Sequence, residues 1–277
     1  MVFRRYTILI SLIFLSGCSL FGGKIEIESE SRKKTEVSEE ELLGLSPNPD
    51  ESRPLVIIDP GHGGEDLGAL GPEGLKEKEY VLEVAKELSN LIRTELKLRT
   101  KLTRSKDEFI QLTDRTKFAN ENKAWIFVSL HANASVKKKV SGFQTFYLDT
   151  TNDEASKLLA ERENASMGNQ NISDVEFILS DLIQTAKLDD SIILSHMIQN
   201  ETLRSLKKKY PEVDDKGVRK APFFVLVGAH MPCVLVEMLF IDNVKDAKLI
   251  KEPTFKSDIA RGIFEGIRVY GKRTGVI

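Results

Sequence analysis

Two histidines each follow a run of apolar, β-branched residues, and together they could bind a metal ion. Residues 56–64 read VIIDPGHGG and carry His62, and residues 127–133 read FVSLHAN and carry His131. Such runs are typical of buried parallel strands, whose carboxyl ends meet at one edge of a sheet. Two imidazoles at that edge need only one carboxylate to form a zinc site that keeps a coordination position for water.

The helical pattern of residues 76–96 indicates which carboxylate is the third ligand. Glu77 lies on the same side as the apolar stripe, whereas Glu79 lies on the opposite side, toward water. A carboxylate in the first turn also suits the positive end of the helix dipole. Alternatively, Glu77 is only a charged residue in the first turn of the helix. However, an unpaired carboxylate on a buried apolar stripe would cost free energy of folding. We therefore predict Glu77 as the ligand. The stripe consists of Val81, Val84, Ala85, Leu88, Leu91 and Ile92.

Two further acids follow apolar runs. Glu237 stands in the run VLVEMLF, and such surroundings raise the pKa of a carboxyl toward neutrality, as general acid/base catalysis requires. A structural salt bridge, for example with Lys220, is the alternative and stays open at this point. Asp59 is predicted to orient His62, or the turn that carries it, as a partner behind the metal ligands.

Strand-like and helix-like segments alternate through residues 54–277 and predict a single α/β domain. We expect a twisted, mostly parallel sheet with helices on both faces. The predicted strands are Leu55–Asp59, Thr100–Thr103, Trp125–His131, Gly142–Leu148, Phe223–Val227 and Cys233–Met238. The predicted helices are Lys76–Leu96, Leu112–Asn120, Asp153–Ala165, Asp174–Ala186, Ser191–Lys207 and Phe255–Tyr270.

The amino terminus has the pattern of an export signal. Residues 1–17 contain two arginines, a short apolar run and the tripeptide Leu-Ser-Gly, which directly precedes Cys18. This pattern resembles the lipobox of bacterial lipoproteins, so we expect Cys18 to be lipidated and to anchor the protein in a membrane. Residues 18–53 are predicted to be a disordered, acidic tether, since 24–53 contain no aromatic side chain. Ser19, rather than an aspartate, favours the outer membrane in a cell that has one.

The amino-acid composition limits the classes of partner that the protein is expected to bind. The chain has 40 basic and 42 acidic residues and no basic stripe interleaved with aromatic residues, so we expect no nucleic-acid binding. The second cysteine, Cys233, lies in an apolar run and is predicted to be an ordinary core residue.

Four ordered motifs together resemble the zinc-dependent N-acetylmuramoyl-L-alanine amidases of bacterial cell walls. They are IDPGHGG (58–64), KEK (76–78), SLHANA (129–134) and MPCVLVE (231–237). Secondary matches are LTR (102–104), LTDR (112–115) and GVRKAPF (217–223), and the resemblance extends over about 54–270.

The resemblance implies that His62, Glu77 and His131 bind zinc and that Glu237 is the catalytic acid/base. It implies hydrolysis of the amide between muramic acid and the L-alanine of the stem peptide in peptidoglycan. Some periplasmic members carry an insertion that covers the zinc until an activator protein displaces it. The region 164–195 could hold such a lid, and its pattern leaves this open. Two alternatives also remain: a zinc peptidase that cuts within stem peptides, and a wall-binding lipoprotein without activity.

Overall fold

The computed structural model describes residues 51–135, 139–167 and 188–277. These residues form six strands in one sheet, which is mostly parallel, as the sequence predicts: four of the five neighbouring pairs are parallel, and the pair of the fourth and sixth strands is antiparallel. The strands are β1 (Leu55–Pro60), β2 (Arg99–Leu102), β3 (Ile126–Asn133), β4 (Phe143–Leu148), β5 (Asp215–Ala221) and β6 (Cys233–Phe240).

The strand order is β2-β1-β3-β6-β4-β5, and it brings the chemically important strand ends together at the centre. In β3 and β6, which are adjacent and parallel, His131 is paired with Glu237. The antiparallel neighbours β6 and β4 pair Glu237 with Gln144. Every residue of β1, β3 and β6 is buried, which explains their uninterrupted apolar sequences.

Helices cover both faces of the sheet. The first core lies between the sheet and α1, α4 and α6, and the second contains residues from α2 and α3. The described helices are α1 (Glu77–Leu91), α2 (Leu112–Glu121), α3 (Glu154–Glu163), α4 (Leu188–Leu206), α5 (Val244–Lys251) and α6 (Phe255–Arg273). A π-helical turn, Ile92–Leu96, extends α1 to the end of the predicted helix. None of the helices in the described ranges is long and apolar enough to cross a bilayer.

The expected strand Phe223–Val227 was wrong. Residues Phe224–Leu226 form a short 3-10 turn, and the strand lies earlier, at Asp215–Ala221. This strand, β5, is at the edge of the sheet and is largely polar, so it lacks the apolar run that marks a buried strand. Helix α5 was not expected from the sequence. The expected helix Asp174–Ala186 and the amino-terminal segments 1–17 and 18–50 lie outside the described residues.

Candidate metal centre

The turn after β1 presents His62 to the edge of the sheet in a conformation that is uncommon for a side-chain-bearing residue. His62 has φ of 58°, in the left-handed region, and two buried arginines brace the turn. Arg104 donates to the carbonyl oxygens of Pro60 and Gly61, and Arg115 donates to those of Pro60 and His62. Such contacts compensate for local backbone strain, which is common at functional sites.

Close packing around the turn requires glycine at two positions. A Cβ atom on Gly61 would lie 2.4 Å from the ring of His131, and one on Gly68 would lie 2.7 Å from both Glu77 Oε2 and the His62 ring. At Gly61 and Gly68 the backbone therefore lies so close to the histidine rings and to the Glu77 side chain that no space remains for a Cβ atom. This explains why the first histidine stands in a glycine-rich sequence.

Asp59 lies under the turn and does not contact the His62 ring. Its carboxylate accepts hydrogen bonds from Thr103 Oγ1, Ser129 Oγ and Arg115, with an Arg115–Asp59 distance of 2.8 Å. Burial raises the pKa of Asp59, but the charge of Arg115 and the three donors outweigh this effect and lower it. Asp59 therefore supports the turn through Arg115, which donates both to the Asp59 carboxylate and to carbonyl oxygens of the turn.

The ring of His62 is oriented by Asp66, a residue that was not predicted from the sequence. His62 Nδ1 lies 2.9 Å from Asp66 Oδ2, and this contact leaves Nε2 directed into the site. A carboxylate that fixes the tautomer of a histidine is the usual support of a metal ligand. Asp66 stands four residues after His62, within the same turn, and this short spacing was the available signal.

Glu77 is completely buried at the start of α1, on the inward side of that helix. The backbone N–H groups of Ala69 and Ala132 donate to its two oxygens at 2.7 and 2.8 Å. Its Oε1 also lies 3.1 Å from His62 Nε2 and 3.2 Å from His131 Nδ1. Glu79 instead pairs with Lys76 on the surface. The structure thus brings the three predicted ligands together and leaves Glu79 outside.

A fourth group, Glu163 at the end of α3, completes the cluster. Its Oε2 lies 2.9 Å from His131 Nδ1 and 3.2 Å from His62 Nε2. One ligand atom from each of His62, Glu77, His131 and Glu163 lies within 4.8 Å of all the others. The sequence reading did not select Glu163. Its signal was the one used for Glu77, since Glu163 shares the buried side of its helix with Leu159 and Ala160.

Three buried atoms at the centre of this cluster, His62 Nε2, His131 Nδ1 and Glu163 Oε2, point at one another at 2.9–3.2 Å, yet none of them makes a well-directed hydrogen bond to the described residues. Buried polar atoms are rarely left unpaired in native proteins, so convergent orphans indicate a ligand. Burial lowers the pKa of His131, but the charge of Glu163 and contacts with both glutamates outweigh this and raise it to about 9. The two carboxylates therefore attract positive charge to this point, which a metal ion can supply.

Glu237 lies beside the cluster on the neighbouring strand. It is completely buried, and neither of its oxygens has a hydrogen-bond partner among the described residues. Burial, with a contribution from the charge of Glu163, raises the pKa of Glu237 to about 8. Lys220 pairs with Asp149 instead, at 2.9 Å, so it does not form the alternative salt bridge with Glu237. Burial thus brings the pKa of this carboxyl into the range that a general acid/base needs near neutral pH.

The match to a family model identifies this arrangement. Residues 56–269 match the family described as "N-acetylmuramoyl-L-alanine amidase", which covers all the residues above. The chain belongs to this amidase family. Among the relatives of this chain is AmiC of Escherichia coli (strain CFT073), 36% identical over 226 residues, which are 79% of this chain and 53% of AmiC. AmiA of Escherichia coli K12 is 34% identical, over 78% of this chain and 75% of AmiA. The chain thus spans about half the length of AmiC and three quarters of the length of AmiA.

Solved structures of amidases share the fold. The amidase AmiC2 of Nostoc punctiforme superposes with a TM-score of 0.62 and 26% identity, over 82% of this chain and all of that one. The CwlD amidase of Clostridioides difficile, solved in complex with the GerS lipoprotein, gives a TM-score of 0.60 and 26% identity, over 80% of this chain and all of CwlD. The expected amidase resemblance and α/β fold are confirmed.

Proposed function

We propose that this protein hydrolyses the amide bond between N-acetylmuramic acid and L-alanine in peptidoglycan. The single observation that carries the proposal is the group of orphaned ligand atoms beside a buried, unpartnered Glu237. A binding protein gains nothing from keeping these polar atoms unpaired, because each costs free energy of folding. The named relatives supply the substrate class, since they are N-acetylmuramoyl-L-alanine amidases.

The donor set fits zinc. Imidazole nitrogens and carboxylate oxygens are ligands that zinc accepts, and two His with one Glu is a known catalytic set. His62, Glu77 and His131 would hold the ion, and Asp66 would fix the orientation of His62. When bound, zinc supplies Lewis acidity, which lowers the pKa of a water molecule and polarises a carbonyl oxygen.

Glu237 provides the proton transfers. A carboxyl whose pKa lies near neutrality can accept a proton from the attacking water and return it to the leaving nitrogen of L-alanine. Its pairing with His131 across adjacent strands, whose axes lie about 4.8 Å apart, supports a role beside the proposed metal ligands. The apolar strand keeps other hydrogen-bond partners away and so preserves this role.

Glu163 gives the site a closed state. Four protein ligands complete the set of a structural zinc, whereas a catalytic zinc keeps a position for water. We therefore infer that α3 must withdraw Glu163 before hydrolysis and that a partner protein can promote this step. A Glu163→Ala variant should hydrolyse walls faster than the wild type while it retains zinc. Loss of zinc and activity together would instead make Glu163 a permanent ligand.

A second proposal concerns the position of the protein in the cell, and the amino-terminal sequence supports it. We propose an exported lipoprotein that is anchored through Cys18, with the tether 18–53 carrying the domain to the wall from the periplasmic side of a membrane. A Cys18→Ala variant should leave the membrane fraction and keep its activity on isolated walls. A variant that still sediments with membranes would mean that another segment anchors the chain.

The activity is tested by mass spectrometry of peptidoglycan digested with the full chain. We expect intact stem peptides with a free L-alanine amino group, and glycan strands that carry unsubstituted lactyl groups. Fragments cut within the stem peptide would indicate a zinc peptidase instead. A zinc-loaded protein that binds walls and releases no peptide would indicate a non-catalytic role.

A further inference from the structure

A buried lysine stands directly after Glu77 in the sequence and is not one of the proposed metal ligands. Lys78 is the second residue of α1, and only 8% of its side chain is exposed. Lysine side chains are rarely buried, because removing an ammonium group from water costs free energy unless acceptors replace the water. The partners of Lys78 therefore show why the fold keeps it at this position.

Lys78 reaches two acceptors that lie outside α1. Its Nζ donates to the carbonyl oxygen of Gly64 at 2.7 Å and to Asp107 Oδ2 at 2.7 Å. The other oxygen of Asp107 accepts the backbone N–H of Gly64 at 2.8 Å. The two side chains thus hold both polar backbone groups of one glycine, and they are paired with each other.

Gly64 lies within the turn that presents His62 and Asp66. His62, Gly63 and Gly64 have positive φ angles of 58°, 128° and 61°. Backbone hydrogen bonds between Gly63 and Asp66, at 2.9 and 3.2 Å, close the turn. Because glycine is conformationally permissive, two consecutive glycines do not fix such a turn by themselves. Contacts at Gly64 therefore determine how the histidine and the acid that orients it are placed.

Lys78 also joins this turn to the part of α1 that carries Glu77. Its carbonyl oxygen accepts a hydrogen bond of 2.8 Å from Arg104, which donates to Gly61 at 2.7 Å as well. Arg104 thus holds the turn before the histidine, whereas the ammonium group of Lys78 holds it after the histidine, at Gly64. The start of α1 and the turn are consequently connected on both sides of the first proposed ligand.

The loss of the Lys78 contact would act on the turn and would leave no buried charge behind. Asp107 is 55% exposed, so its carboxylate stays hydrated without the lysine. The hydrogen bond from Lys78 lowers the pKa of Asp107 below its usual value of 3.8, so the pair is charged near neutral pH. The carbonyl oxygen of Gly64 would lose its buried donor, and the turn would be held less tightly.

We propose that Lys78 is a positioning residue that keeps His62 and Glu77 at the spacing that a metal ion requires. The proposal rests on the proposed function, because both residues are ligands of the zinc proposed there. His62 Nε2 and Glu77 Oε1 lie 3.1 Å apart, and a shift of the turn relative to α1 changes this distance directly. Ligands that folding has already ordered bind a metal more tightly than ligands that must become ordered on binding.

The test compares the zinc affinities of variants of the full chain, measured by competition with a chromophoric chelator. Lys78→Met removes the ammonium group and keeps an unbranched side chain, and Asp107→Ala removes its partner at an exposed position. We expect each variant to bind zinc about 10–100-fold more weakly than the wild type, as is typical when a group behind a metal ligand is lost. Lys76→Met is the matched control, because Lys76 pairs with Glu79 at the surface, and it should bind zinc like the wild type.

A double variant separates positioning from a general loss of stability. Since Lys78 and Asp107 act on Gly64 as one unit, Lys78→Met with Asp107→Ala should bind zinc only as weakly as Lys78→Met alone. Circular dichroism of the metal-free samples establishes that each variant is folded at the temperature of the titration. If Lys78→Met does not fold, the exposed Asp107→Ala variant decides the question alone.

Three results would overturn the proposal: wild-type zinc affinity in folded Asp107→Ala or Lys78→Met, an equal loss of affinity in Lys76→Met, or losses that add up in the double variant. Zinc binding by the wild type distinguishes this failure from a failure of the proposed function. A wild type that binds zinc, with variants that bind it equally well, counts against the role of Lys78 alone. A wild type that binds no zinc counts against the proposed function and overturns this proposal with it.

Discussion

Two buried polar clusters lie next to each other at the edge of the sheet, and only one of them is complete by itself. We call the first the arginine cluster: Asp59, Thr103, Arg104, Arg115 and Ser129. Each of its side chains has its hydrogen-bond partners within the protein, and none of its polar atoms is orphaned.

We call the second the ligand cluster: His62, Glu77, His131 and Glu163. It is also buried, yet three of its atoms, which lie 2.9–3.2 Å apart, make no well-directed hydrogen bond to the described residues. The difference teaches that burial of charge alone does not mark a site, because the arginine cluster is an internal support. Convergent atoms without well-directed hydrogen bonds mark the site, since one added ion can bind all of them at once.

The largest expected effect is on catalysis next to the ligand cluster. Glu237→Gln keeps the shape of the side chain but cannot transfer a proton, so turnover on peptidoglycan should fall by about 10²–10⁴-fold. Zinc content and melting temperature should remain at wild-type values, measured on the same sample. Turnover per folded molecule near that of the wild type would exclude Glu237 as the acid/base.

A substitution in the arginine cluster should instead lower the stability of the protein. Arg115→Met leaves the buried Asp59 carboxylate without its cation, which should reduce the free energy of unfolding by about 3–5 kcal/mol. Denaturant unfolding of the metal-free protein measures this loss. Metal-free samples are the right comparison, because bound zinc would add its own stabilisation. A loss below about 1 kcal/mol would place this pair with surface ion pairs.

The pH dependence of stability sharpens the same comparison. Burial raises the pKa of Asp59, but Arg115 and the hydroxyl donors bring it below its ordinary value of 3.8. A carboxyl with a lowered pKa in the folded state stabilises the protein above its unfolded pKa and loses this contribution as the pH falls. The difference in unfolding free energy between the wild type and Asp59→Asn should thus be constant above about pH 5 and shrink below about pH 4. A difference that grows on acidification would contradict this account.

The smallest effect is expected just outside the ligand cluster. Glu79 lies two residues after Glu77 but pairs with Lys76 at the surface, where its side chain is 54% exposed. Glu79→Ala should change the free energy of unfolding by less than about 1 kcal/mol and leave zinc binding unchanged. A measurable loss of zinc in this variant would show that Glu79 contributes to the metal site.

Part of the fold could be predicted because it depends on residues that are close together in the sequence. The apolar runs gave β1, β3 and β6, and the phase of α1 separated Glu77 from Glu79. The polar edge strand β5 has no such pattern, since its stability comes from pairing with β4. Glu163 shares the buried side of α3 with Leu159 and Ala160, but the sequence does not show that the tertiary position of α3 brings it to the cluster. The role of Arg115 likewise depends on a contact across 56 residues of sequence.

The central claim is that the ligand cluster binds a metal ion, and the zinc content of purified, folded protein tests it most directly. Elemental analysis should find about one zinc per chain in the wild type and in Glu79→Ala, and almost none in His131→Ala. Circular dichroism on the same samples establishes that the His131→Ala protein is folded. A folded His131→Ala protein with a full equivalent of zinc, or a wild type that takes up none, would contradict the account.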